Sequence, residues 1–121
     1  MNKLVLTVDD SRTMRQMLKI ALDNAGFDVV QAEDGIDGID ALQQKTPRII
    51  ITDINMPRLD GYGFMEYVRS QDHLRQTPIL VLTTETDAEK KARARKAGAS
   101  GWIVKPFDPT KLVDAIRRVA F

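Results

Sequence analysis

The residues best able to do chemistry together are Asp9, Asp10, Asp53, Thr83 and Lys105, each at the end of a short apolar run. If those runs are neighbouring strands, three carboxylates, a hydroxyl and an ammonium meet at one edge. Three carboxylates in one crevice repel. Two like charges about 4 Å apart cost about 1 kcal/mol in water and about 4 kcal/mol at an effective dielectric of 20. One of them must then protonate unless a cation joins them. Mg²⁺ suits such a set, being a hard ion that prefers oxygen ligands and keeps positions open for water and phosphate. The absence of cysteine and the single histidine argue against zinc or copper. A carboxylate beside a divalent ion can accept a phosphoryl group as an aspartyl phosphate. The three equatorial oxygens of that group then need neutralising. Mg²⁺ can serve one, Lys105 another, and the Thr83 hydroxyl with nearby backbone N–H groups the third.

The elements that must position these residues are legible as alternating patterns. Apolar runs occupy 4–8, 28–32, 49–52, 79–82 and 101–104. Four of them are nearly continuous and rich in Val and Ile, as strands buried on both faces of a parallel sheet are. The second is weaker and suits an edge, and its acids Glu33 and Asp34 should lie to one side. Between the runs fall helical periods. Met14, Met17, Leu18, Ala21, Leu22 and Ala25 follow a Ser11 cap and stop at Gly26. Ile36, Ile39 and Leu42 mark a second helix, and Phe64, Met65 and Val68 a third, entered after Gly61. Leu112, Val113, Ile116, Val119 and Ala120 mark the last, with Pro109 in its first turn. The fourth, from Ala88 to Ala97, has almost only alanine to bury and should be the least firmly held. The methionines at helical spacing are read as core, and His73 as surface. Five strands alternating with five helices predict an open α/β sheet, whose ligands bind beyond the carboxyl ends of the strands.

At this point the sequence resembles the response-regulator receiver family. The resemblance rests on Val8-Asp9-Asp10-Ser11, Thr52-Asp53-Ile54-Asn55-Met56-Pro57, Asp60-Gly61, Thr83-Thr84-Glu85 and Lys105-Pro106-Phe107. It spans essentially residues 1–121, read as one receiver domain, and is greatest toward stand-alone chemotaxis receivers of the CheY type. The resemblance implies a flavodoxin-like, doubly wound five-stranded parallel sheet of order 2-1-3-4-5. It implies that Asp53 is the phosphoacceptor, and that Asp10 and Asp53 ligate Mg²⁺ directly. Asp9 would act largely through water, and the Asn55 carbonyl would add an oxygen. Lys105 and Thr83 would contact the phosphoryl group, and the Lys105–Pro106 bond would be cis. Asn55, Thr84 and Glu85 would tune rates. Trp102 stands where the family usually carries tyrosine or another aromatic ring, so the tyrosine hydroxyl has no counterpart here; a partly exposed packing residue is the plainer reading of Trp102. Thr84 stands where a small residue is common and could narrow access for phosphodonors or water.

Charge is nearly balanced overall at +1, but residues 1–83 carry 9 Lys/Arg against 12 Asp/Glu and residues 84–121 carry 9 against 5. Different partners for the two sides, or ordinary solvated helix faces, are both consistent with that split. No apolar stretch reaches membrane-spanning length, and the N-terminus does not read as a signal peptide. A cytoplasmic monomer is expected, whether as a complete chain or as a piece of a longer one. The chain reaches only one helix past Lys105, so output is expected from its own surface. The expected face is built by the fourth helix, fifth strand and fifth helix, with Lys90, Lys91, Arg93, Arg95, Trp102, Lys111 and Arg117. A basic face with one aromatic suits an acidic protein partner better than nucleic acid. The expected function is a signalling switch. A chemotaxis-type histidine kinase would phosphorylate Asp53, and the product would bind a flagellar motor switch protein or another target. A phosphate shuttle or sink is the alternative. A Mg²⁺-dependent phosphohydrolase fits less well, since no second general acid follows Asp53.

Overall fold

A computed structural model describes residues 2–121. In chain order the elements are β1 (Leu4–Val8), α1 (Arg12–Asn24), β2 (Asp28–Ala32), α2 (Gly35–Gln44), β3 (Ile49–Thr52), α3 (Gly61–Ser70), β4 (Ile79–Thr83), α4 (Ala88–Ala97), β5 (Gly101–Val104) and α5 (Pro109–Ala120). A single 3₁₀ turn at Asp72–Leu74 follows α3. The strands form one parallel sheet in the order β2-β1-β3-β4-β5.

Alternate residues of the central strands feed two separate cores. Leu6, Val8, Ile50, Ile79 and Val81 pack with Leu42, Phe64, Met65 and Val68 on the side of α2, α3 and α4. Val5, Ile49, Ile51, Leu80 and Leu82 pack with Leu18, Leu22, Leu112 and Ile116 on the side of α1 and α5. A strand period of two thus supplies both faces. This is why β3 and β4 carry apolar residues without a break.

Each helix opens on a side-chain cap. Ser11, Asp34, Asp60, Asp87 and Asp108 accept backbone N–H bonds from Met14, Asp37, Gly63, Glu89 and Thr110. Gly26 follows the end of α1 at φ 88°, the left-handed geometry that glycine adopts at least cost. Among the described residues no helix is long and apolar enough to cross a membrane.

Three expectations are corrected. Met17 is 44% exposed rather than core, because the buried stripe of α1 is carried by Leu18 and Leu22. The third helix begins at Gly61, capped by Asp60, rather than after it. The fifth run, read as buried on both faces, is only partly covered, in keeping with its edge place in the expected strand order: Trp102 and Ile103 are half-buried and Val104 is 41% exposed. The fourth helix buries only Ala94, in keeping with its composition, and His73 is exposed.

Asp34 is the cap with the most at stake. Its side chain is 3% exposed, covered by the exposed Arg58 side chain. The Arg58 hydrogen bond, against the opposing effect of burial and with help from the Asp37 N–H, holds its carboxyl below the usual range. Asp34→Ala should lower stability by about 1 kcal/mol through loss of the cap, measured as a shift of the urea midpoint at pH 7. A depressed native pKa gives stability that is present above the unfolded value of about 3.9 and is lost as pH falls through the native value. The gap between wild type and variant should therefore narrow as the solution is acidified below about pH 4.

Candidate functional site

Parallel register brings the four strand ends side by side. The ladder continues one residue past the strands: Asp9 N–H donates to the Ala32 carbonyl at 3.0 Å, Asp53 N–H to Val8 at 2.9 Å and Lys105 N–H to Thr83 at 2.8 Å. Backbone bonding thus fixes Asp9, Asp53 and Lys105 in one row, with Thr83 closing β4 between them. The Lys105–Pro106 peptide is cis.

The Lys105 ammonium lies between two carboxylates, 2.8 Å from Asp9 Oδ2 and 2.8 Å from Asp53 Oδ2. The remaining oxygens are also held. Ser11 N–H donates to Asp9 Oδ1 at 2.9 Å and Ile54 N–H to Asp53 Oδ1 at 2.7 Å. Asp9 is 1% exposed and Asp53 8%, whereas Asp10 is exposed. One carboxylate oxygen from each of Asp9, Asp10 and Asp53 falls within 4.8 Å of the others. Burial pushes the Asp9 carboxyl up despite its bonds to Lys105 and Ser11. For Lys105, burial alone would lower the ammonium, but its bonds to Asp53 and Asp9 outweigh that and leave it above the usual lysine value. One ammonium therefore does not fully offset three carboxylates. An all-oxygen set that remains short of positive charge fits a hard divalent cation.

The rim is built by two loops. The Asn55 amide donates to Glu85 Oε1 at 3.1 Å, and Lys90 at the start of α4 reaches Glu85 Oε2 at 3.1 Å. Hydrogen bonds from Lys90 and then Asn55 hold the Glu85 carboxyl below the usual range. Thr83 is buried, and its hydroxyl accepts the Glu85 N–H at 3.3 Å, while Thr84 is exposed. Gly61 N–H donates to the Ile54 carbonyl at 2.8 Å. A side chain at Gly61 would run into the Asp53 carbonyl. The turn residue is therefore also what lets α3 begin directly beneath the site.

The basic face is only partly assembled as expected. Lys91 and Arg95, four apart on α4, line a small hollow with Ala99, Ser100, Gly101 and Trp102. The Trp102 indole N–H is buried and finds no acceptor among the described residues. Lys111 belongs to an adjoining hollow along β5 and α5 that also includes Trp102. Lys90 turns instead to Glu85, and Arg93 stacks over the Tyr62 ring of α3, 3.9 Å from its centroid. Arg117 lines a separate hollow with Lys3, Ala25, Phe27 and Phe121. Neither Arg93 nor Arg117 lines the two hollows that include Trp102.

One pair at the site's border was not expected. Asp34, read as an acid set to one side, is bound in two places by Arg58 from the loop after Asp53: Nε to Oδ2 at 2.7 Å and Nη2 to Oδ1 at 3.0 Å. Two residues 24 apart in unlike loops leave no periodic signal in a sequence.

A family model described as the response regulator receiver domain matches residues 5–117. Chemotaxis protein CheY1 of Helicobacter pylori is 38% identical over 117 residues, covering 95% of this chain and 94% of that protein. Chemotaxis protein CheY4 of Vibrio cholerae superposes with a TM-score of 0.94 at 44% identity, covering 98% of this chain and 99% of that one. The receiver domain of sensor histidine kinase PA1611 from Pseudomonas aeruginosa, solved with a magnesium ion coordinated in its active site cleft, gives a TM-score of 0.91 at 25% identity over 99% of this chain and 98% of that one. The chain spans about half the length of relatives named as probable transcriptional regulators, 47% in one and 44% in another.

A native carboxyl pKa raised by burial means that the folded state binds the proton more tightly than the unfolded one. The Asp9 contribution to stability is then fully present below about pH 3.9 and is lost as pH rises through the native value. In magnesium-free buffer, Asp9→Asn should be more stable than wild type near neutral pH, with an advantage that vanishes below about pH 4. Urea unfolding across the pH range measures this; equal midpoints at pH 7 would contradict it.

Proposed function

This chain belongs to the response regulator receiver domain family, and we propose that it takes a phosphoryl group onto Asp53 from the phosphohistidine of a kinase and passes the signal on by binding a protein target. The carboxylate of Asp53 attacks phosphorus. A P–O bond forms as the P–N bond to the donor imidazole breaks, and the bonding pair returns to the imidazole. Asp9, Asp10, Asp53 and the Asn55 carbonyl would hold Mg²⁺, which, when bound, supplies positive charge to the transferring oxygens.

The chain's own groups do the rest. Once Asp53 is phosphorylated to the acyl phosphate, its charge moves outward onto the phosphoryl oxygens, and Lys105 follows that charge. The buried Thr83 hydroxyl, otherwise engaged only with the Glu85 N–H, turns to another oxygen. Asn55, Thr84 and Glu85 stand where water must approach. The observation that carries this reading is the Lys105 ammonium seated 2.8 Å from both Asp9 and Asp53, with Asp10 beside them. The magnesium in the PA1611 receiver supports the metal assignment.

Chemotaxis is the favoured pathway, since CheY1 and CheY4 match this chain over nearly their whole length. The partners would be a chemotaxis-type histidine kinase and a flagellar motor switch protein or comparable target, met in the cytoplasm by a monomer. The hollow around Trp102, Lys91 and Arg95 is the docking face for an acidic segment of that target. Phosphorylation would bias two arrangements of this face.

Incubation with a small phosphodonor and Mg²⁺ should place one phosphoryl group on Asp53 by intact and peptide mass spectrometry. Asp53→Asn should take none. Lys105→Ala should slow the reaction roughly 100-fold, the usual cost of losing one charge-stabilising donor. Modification at another residue, or undiminished modification of Asp53→Asn, would refute the assignment.

A further inference from the structure

We propose that Arg58, through its two bonds to Asp34, is a positioning residue that sets Mg²⁺ affinity at the Asp53 site. The proposal rests on the metal reading above and concerns residues that touch neither the ion nor the phosphoryl group.

The loop from Asp53 to Gly61 forms one wall of the site. It is closed at its base by Gly61 N–H donating to the Ile54 carbonyl at 2.8 Å. Its first N–H, that of Ile54, orients Asp53 Oδ1 at 2.7 Å. The posture of the loop therefore decides where that carboxylate points and where the Asn55 backbone stands. At the far end of the loop Arg58 has φ 64°, the one non-glycine residue at positive φ among the described residues. Leu59 N–H bonds back to the Pro57 carbonyl at 2.7 Å, closing a three-residue turn around Arg58. Turns of this kind with positive φ are strained and persist only where their surroundings hold them.

What holds this one is visible. The Arg58 guanidinium makes a two-pronged contact with Asp34, at 2.7 and 3.0 Å. A planar fork matched to a carboxylate fixes direction as well as distance. Asp34 is itself immobilised, because the same Oδ1 caps α2 through Asp37 N–H at 2.9 Å. A third bond, from Gly35 N–H to the Leu59 carbonyl at 3.1 Å, runs beside the pair. A side chain at Gly35 would stand 2.6 Å from that carbonyl, so only glycine permits the approach. The Asp53 loop is thereby stitched to the start of α2. On its other limb Asn55 is tied through Glu85 to Lys90 of α4. Arg58 supplies the tether on the α2 side.

Mg²⁺ titration calorimetry on the full chain tests this with Arg58→Gln, Asp34→Asn and the double variant. Asparagine keeps the helix cap and removes the charge, so α2 should stay formed. Arg58 is 56% exposed, so its replacement should leave the core intact; Arg58→Gly, which accepts positive φ freely, is the control for strain. Each single variant should bind Mg²⁺ about 10-fold more weakly, the lower end of what supporting residues contribute at metal sites. The double variant should be no weaker than either single, and Arg58→Gly should resemble Arg58→Gln. A role in stability alone would lower the urea midpoint and leave the Mg²⁺ dissociation constant within about twofold of wild type, which would overturn the proposal. If wild type binds and the variants match it, only the clamp is lost. If wild type itself takes up no Mg²⁺, the metal reading fails and the clamp falls with it.

Discussion

Two buried carboxylates sharing one ammonium set the terms for the rest of the molecule. Asp9 and Asp53 would repel strongly at the ends of adjacent strands, and the Lys105 ammonium stands between them, 2.8 Å from each. The balance is incomplete, since burial still raises the Asp9 carboxyl and the Asp10 carboxylate lies within reach of the same point. A site left short of positive charge costs the fold stability and favours a cation. The Lys105 ammonium is held by that excess negative charge; the phosphoryl transfer proposed above would relocate the charge and draw the ammonium along.

The elements around this centre are secured unequally. β3 and β4 are buried on both faces and act as a fixed frame. The loops at their ends are tied by polar contacts whose partners lie on different elements. α4 is the extreme case. It buries one alanine and is attached chiefly through the Lys90–Glu85 pair, the Arg93–Tyr62 stack and the Arg69 guanidinium, which donates to the Gly98 carbonyl at 2.7 Å and to the carbonyls of Leu74 and Thr77. Contacts of this kind can be exchanged one at a time without opening a cavity. A helix held by apolar packing could not shift so cheaply.

Sequence reasoning reached the strands and the central constellation because both rest on short-range rules. Val and Ile runs announce strands buried on two faces, and parallel register then stacks Asp9, Asp53 and Lys105 without further information. It did not reach β5's edge position from composition, since Gly101–Val104 is as apolar as an interior strand; the order came from the resemblance. The rotation of α4 is not legible, because a helix without an apolar stripe gives no phase, and so nothing in the sequence points to the Arg93 stack on Tyr62. Arg117 is a different case. It lies six positions from Lys111, about 240° farther round the helix, so the period itself separates the two. The Arg58–Asp34 pair was out of reach for a stronger reason: it depends on a positive φ at a non-glycine residue, which no sequence period encodes.

The placement of Lys105 connects these points. It follows an edge strand held by β4 alone, and Trp102 sits three residues earlier on that strand. The Trp102 indole N–H is buried without an acceptor among the described residues, a state worth about 1–3 kcal/mol of lost hydration. Populations of a two-state face invert over a few kcal/mol. In the two-state reading proposed above, a cost of this size is enough to shift the balance of that face. A charge moved onto Asp53 acts on Lys105, Lys105 is bonded through its N–H to the Thr83 carbonyl at 2.8 Å, and Thr83 closes the strand against which Trp102 is paired at Val81. The site and the basic hollow are thus joined through two adjacent strands, with an unsatisfied indole N–H at the hollow's end of the path.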